Sequence, residues 1–217
     1  MFWRLLLSHL LGDYLLQPDQ LVKNKYRLSI LAIHATIHFI VLCLFLGTVI
    51  PEAWPKLLSL ALVHFLMDWA KGVLTNNGQK SQFISYLVDQ FLHLFVIGLF
   101  AIWIEGSPTS IFASEGSVWV IYLCGYLIVT IGWQITERIF AAGREAYLHV
   151  IESSAWSRNI ARVVLFTVWL ALGQSLKSFV LLASFQIPYL TGPDRKRALW
   201  TDLVVTSLTA LLVLSAS

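Results

Sequence analysis

Apolar stretches long enough to cross a bilayer recur along this chain, and several carry an imidazole or a carboxylate in their midst. Crossing the hydrocarbon core as a helix takes about 20 mainly apolar residues. Stretches of that character lie at 2–16, 28–50, 55–72, 82–104, 118–140, 159–187 and 198–215. Only 12% of the 217 residues are charged, against 58% hydrophobic, whereas soluble domains carry roughly a quarter charged. The pattern predicts an all-α, polytopic membrane protein of about six or seven helices. Trp3, Trp54, Trp103, Trp119 and Trp200 stand at or near the ends of apolar runs, where interfacial aromatic belts form. The first and third stretches are short and hold ionisable groups, so they are expected among other helices, away from lipid. The 159–187 stretch is interrupted by Lys177 and reads either as one tilted span or as a span plus a half-helix.

Charge placement sets an expected orientation. Lys23, Lys25 and Arg27 follow the first stretch, Lys71 and Lys80 follow the third, and Arg138, Arg144, Arg158 and Arg162 follow the fifth. The 105–117 connection holds Glu105 and Glu115 but no Lys or Arg. By the positive-inside rule the three basic regions face the cytoplasm and the N-terminus lies outside. The opening run does not read as a cleaved signal peptide, because His9 and Asp13 break it and no small-residue cleavage site follows. Cys43 and Cys124 lack metal-type spacing and read as packing residues. A net charge of +3 with no basic run argues against nucleic acid as a partner.

The polar residues inside the first four stretches recur at a constant offset of 55. His9 answers His64, Asp13 answers Asp68, Lys25 answers Lys80, His34 answers Asp89 and His38 answers His93. The first 105 residues therefore read as a duplicated four-helix bundle with a polar core, from repeats at about 1–54 and 55–105, and residues 106–217 as further membrane helices. Two spans per repeat restore the original direction, so the repeats run parallel about an axis along the membrane normal.

Groups four residues apart share a helix face. At 1.5 Å rise per residue, Asp13, His34, Asp68 and Asp89 fall roughly 5–12 Å from the cytoplasmic ends of their helices, and the remaining histidines about one turn deeper. Ionised groups at that depth must face one another, a cavity or a cation. A divalent metal held by His9, Asp13, His34, His64, Asp68, Asp89 and His93 would pair their charge, and one or two ions fit the ligand number. Mixed imidazole and carboxylate ligands suit Zn, Mn, Fe or Ni better than Ca or Mg. The alternative is that Asp–His hydrogen bonds only lock the helices together. Lys71 reads either as a phosphate anchor or as a residue reaching to the headgroups. Glu137 and Arg138 read as closing the site from the side, or as an interfacial ion pair.

The motifs H-x2-G-D-x3-Q at His9–Gln17, K-x8-H at Lys25–His34, H-x3-D-x2-K at His64–Lys71 and D-Q-x2-H at Asp89–His93 resemble a family of bacterial inner-membrane proteins known only as a domain of unknown function. The resemblance covers roughly residues 5–105, and Glu137-Arg138 resembles a later pair of that family. His38 stands outside the pattern. The resemblance implies a bacterial inner-membrane location. More distantly, His and Asp on successive membrane helices look like membrane-bound metal-dependent hydrolases.

Three functions follow as expectations. The first is a metal-dependent hydrolase acting on a lipid or lipid-linked phosphoester in the cytoplasmic leaflet, with Lys71, Glu137 and Arg138 assisting. The second is a proton or divalent-metal transporter, although 40–50 and 95–104 are apolar and offer no path across. The third is a non-catalytic membrane partner or assembly protein, with oligomerisation open in every case.

Overall fold

A computed structural model describes residues 1–17, 27–47, 49–75, 82–106, 118–172 and 193–217. Lys23, Lys25, Lys80, Glu115 and Lys177 lie outside these residues, and with them the Lys25–Lys80 match and the course of the 159–187 stretch beyond residue 172.

Among the described residues every element is helical. Helix α1 runs Phe2–Leu10 and continues as a π turn, Leu11–Leu15. Next come α2 (Leu28–Gly47), α3 (Trp54–Thr75) and α4 (Gln82–Glu105). After these follow α5 (Val118–Ala141), α6 (Glu145–Ser153), α7 (Ala155–Leu172) and α8 (Pro193–Ala216). Among the described residues, four segments are long and apolar enough to cross a membrane: Leu28–Gly47, Phe83–Glu105, Val118–Ala141 and Asp194–Ala216. Helices α1 and α3 are not among them, and these two carry the H-x3-D pairs.

The chain forms two compact units, Met1–Glu115 and Gly116–Ser217. In the first, α1 packs on α2 and α4, and α3 packs on the same two helices. The cross-contacts fix an up-down-up-down order. Arg4 donates to the Phe45 carbonyl at 3.3 Å while Asp13 meets His34, so α1 and α2 run antiparallel. Lys56 donates to the Trp103 carbonyl at 2.9 Å while Lys71 meets Asp89, so α3 and α4 do too. One half of this bundle is filled by apolar side chains, among them Leu5, Leu42, Leu46, Leu57, Ile97 and Ala101. Its outer faces expose large apolar side chains, including Leu44, Leu66, Phe91 and Phe95.

In the second unit α7 packs on α5 and α8, and α6 packs on α5 and α8. Gly143, at φ +82°, takes the left-handed turn that ends α5 and lets the short α6 begin; a side chain there would strain the backbone. Tyr147 and Ile151 of α6 are buried with Ala141 and Ala198.

Candidate metal centre

The four helices of the first unit bring their polar pairs to one level. His9, His34, His38, His64, Asp68 and His93 are buried, and the Asp13 side chain is only 10% exposed. In α1 the switch to a π turn at Leu11 comes between His9 and Asp13. Such wide turns often occur at functional sites because they re-aim one side chain without breaking the helix. Gly12 sits in that turn directly against the ring of His38, and a Cβ there would come within 2.6 Å of His38 Nε2. Gly12 therefore clears the space that lets His38 approach Asp13.

The ligand-type atoms converge. Asp13 Oδ1 lies 3.1 Å from His34 Nε2, 3.0 Å from His38 Nε2 and 3.7 Å from His64 Nε2. His34 Nε2 and His64 Nε2 are 3.1 Å apart. With metal–ligand bonds of about 2.0–2.1 Å, neighbouring ligands of a tetrahedral site stand roughly 3.3–3.4 Å apart. The observed 3.0–3.7 Å separations bracket that edge length. Asp13, His34, His38 and His64 thus form a group able to hold a metal ion, and His64, Asp68 and His93 form a second. The two groups share His64, and Asp68 Oδ2 is also 3.5 Å from His34 Nε2.

His93 is oriented from behind. Its Nδ1–H donates to the main-chain carbonyl of Asp89 at 2.8 Å; a carbonyl only accepts, so Nε2 is left with the lone pair. That Nε2 is buried and makes no hydrogen bond among the described residues. His9 Nε2 makes none either, its nearest carboxylate oxygen being Asp13 Oδ2 at 3.5 Å. Buried ring nitrogens left this way are costly unless something occupies the space before them. His9, His38, His64 and His93 line one side of a cavity of about 20 Å3 whose other walls are apolar, among them Leu5, Leu42, Leu60 and Ile97.

Asp89 stands apart from the ligand atoms. Its Oδ2 accepts from Lys71 Nζ at 2.7 Å and its Oδ1 is 3.7 Å from His93 Nδ1. The offset of 55 thus pairs unlike roles: His34 faces both Asp13 and Asp68, whereas Asp89 carries the Lys71 charge behind His93. Beyond the histidines lies a polar rim. Tyr14 Oη is 3.1 Å from both Tyr86 Oη and Gln90 Oε1, and the Gln17 amide is 3.4 Å from His34. The opposite side is the apolar layer of Leu5, Leu42, Leu60 and Ile97, so the centre is polar toward one end of the bundle and dry toward the other.

Every residue of this centre falls in the stretch 1–120, which matches the sequence profile of DUF3307, described as a protein of unknown function. The match spans more than half of the chain. The chain belongs to the DUF3307 family. No curated protein and no solved structure matches it.

The DUF3307 match ends before Glu137 and Arg138, whose described partners are in the second unit. Glu137 is buried, with Oε2 2.8 Å from Arg158 Nη2; its Oε1 accepts from Tyr147 at 2.5 Å and from Thr201 at 3.1 Å. Asp202 accepts from Arg158 at 2.6 and 2.7 Å and from Arg162 at 2.6 Å, and Arg162 also donates to Asn159. Burial, followed by the hydrogen bond to Glu137, pushes the Tyr147 phenol well above the ordinary tyrosine range, so it remains a donor. Arg138, about half exposed, is 4.0 Å from Glu152. His38 is not in the ligand set expected from the sequence, although His93, its partner at the offset of 55, is. It also missed Asp202, signalled by a lone carboxylate within an apolar stretch.

Proposed function

We propose that this DUF3307 protein is a multi-pass membrane protein of the bacterial inner membrane, with its N-terminus outside. In this reading its first unit holds a divalent metal and hydrolyses a lipid or lipid-linked phosphoester, reached from the cytoplasmic leaflet. Four long apolar helices and the exposed apolar faces around them support the membrane setting. The observation that carries the metal reading is the convergence of ligand atoms of Asp13, His34, His38 and His64 to within 4.8 Å of one another, beside the unsatisfied nitrogens of His9 and His93. Zn, Mn, Fe or Ni suits this donor set. Because His64 belongs to both groups, a single ion is favoured over two.

A bound ion of this kind acidifies a coordinated water and polarises a phosphoryl oxygen. Asp68, 3.5 Å from His34 Nε2 and 3.7 Å from His64 Nε2, is placed to accept the water's proton. Asp89 holds His93 through its main-chain carbonyl, and its carboxylate is paired with Lys71. The one-sided polarity of the centre favours hydrolysis over transport, since a through-path would need polar groups across the apolar layer as well.

Metal analysis of the full-length protein in detergent, wild type beside Asp68→Asn, combined with phosphate release from lipid phosphoesters with and without chelator, tests this. One ion per chain and chelator-sensitive phosphate release are expected. Bound metal with no hydrolysis, but with metal flux in proteoliposomes, would transfer the centre to transport. A folded, metal-free protein would leave the helix-locking role.

A further inference from the structure

The ligand group Asp13, His34, His38 and His64 draws on α1, α2 and α3 and takes nothing from α4. The offset of 55 exchanges its members for Asp68, Asp89, His93 and His9, which lie on α3, α4 and α1. The packing carries the same exchange, since α1 and α3 each pack on both α2 and α4. A second position related to the first by this exchange would therefore use atoms that the first does not. His64, common to both ligand groups, is no obstacle to it, because His9 is its counterpart.

Three of the exchanged residues are placed for such a role. His93 and Asp68 share a ligand group, with ligand atoms within 4.8 Å of each other. The rings of His9 and His93 stand 5.0 Å apart at their centres and line one cavity. Both Nε2 atoms are buried and without a hydrogen-bond partner among the described residues, a costly state that a bound ion would relieve. His93 is already turned for it, because its Nδ1–H is taken by the Asp89 carbonyl and the lone pair is left on Nε2. The fourth residue differs. Asp89, the counterpart of His34, is held by Lys71 at 2.7 Å, which leaves three protein ligands. Three protein ligands with one position open to water or substrate is the pattern of a catalytic ion, whereas structural ions are closed by four.

We propose that His9, Asp68 and His93 form a second, weaker divalent-metal position, whose open place is filled by an oxygen of a phosphate group bridging to the first ion. This rests on the metal reading of the first ligand group. The resting protein holds the first ion alone, and Asp68 keeps its role as proton acceptor until the second ion arrives with the anion. Two ions about 3.5–4 Å apart clamp a phosphoryl group between them. The anion and the second ion then raise each other's affinity by the same factor.

The test is native mass spectrometry of the metal-stripped full-length protein in neutral detergent, titrated with manganese, alone and with inorganic phosphate as the probe anion. Electron paramagnetic resonance of the same samples reads whether two bound ions are neighbours. One ion is expected at low manganese and a second at roughly 10–100-fold higher concentration, the loss that follows weaker ligand support. Phosphate should tighten the second ion about tenfold and leave the first unchanged. The six-line signal of the first ion should give way to a spin-coupled spectrum as the second binds. His9→Gln and His93→Gln, checked for helix content by circular dichroism, should each keep the first ion and lose both the second and the phosphate effect. A wild-type protein that binds no ion sinks the metal reading, and this proposal with it. One ion at every manganese concentration, with or without phosphate, overturns the second position alone. So does a second ion whose signal stays uncoupled, or one that both variants retain.

Discussion

Gly12 and His38 occupy one space: the α-carbon of the first leaves the ring of the second free to reach Asp13, 3.0 Å from His38 Nε2. A methyl group there must push the ring or the helix aside. Gly12→Ala is therefore expected to lower metal affinity at least tenfold, in the range seen when supporting groups of a metal site are lost. The fold should survive. Isothermal titration with zinc, beside circular dichroism to check helix content, decides this, and unchanged affinity would separate His38 from the site.

Asp13 and Asp89 make opposite predictions although both were read as ligands. Asp13 Oδ1 lies within 3.7 Å of three imidazole nitrogens, so Asp13→Asn removes a charged ligand and should abolish stoichiometric metal. Asp89 touches Lys71 and supports His93 through its main-chain carbonyl, which Asn retains. Asp89→Asn should therefore weaken binding by about 10–100-fold at most. Elemental analysis after gel filtration measures both; equal loss in both variants would place Asp89 among the ligands.

Much of the first unit was legible in the sequence because imidazoles and carboxylates are conspicuous in apolar helices. Spacing of four put His9 with Asp13 and His64 with Asp68 on shared faces. Sequence spacing could not show the π turn that re-aims Asp13, nor that Asp89 would choose Lys71, whose ammonium comes from the preceding helix at 2.7 Å. Those depend on packing distances that no periodicity encodes. The second unit was harder to read, because its buried charges are spread over α5, α7 and α8 with no repeat to align them. Arg158 and Arg162 were counted only as positive-inside charge, yet both are buried against Asp202.

That network predicts unequal costs. Asp202 is fully buried and bonded to two arginines; Asp202→Asn strands buried positive charge and should cost about 3–5 kcal/mol. Tyr147→Phe removes one hydrogen bond from Glu137, which keeps Arg158 and Thr201, and should cost about 1 kcal/mol. Thermal unfolding in one detergent, followed by helical circular dichroism, ranks the two. Equal losses would mean that the cluster is not a charge-pairing unit.

One-sided access to the His/Asp centre can be read with introduced cysteines in a Cys43→Ser, Cys124→Ser background. Gln90 belongs to the polar rim with Tyr14, while Ala101 is fully buried in the apolar layer with Leu46 and Leu57. In sealed vesicles a charged thiol reagent should label Gln90→Cys from the cytoplasmic face alone. Ala101→Cys should resist labelling from both faces, because a water-filled path would have to cross close-packed leucine side chains. Labelling of Ala101→Cys at a rate similar to that of Gln90→Cys would reveal an aqueous route through the dry half. The centre would then be a waypoint for ions, and hydrolysis would no longer be the reading its geometry favours.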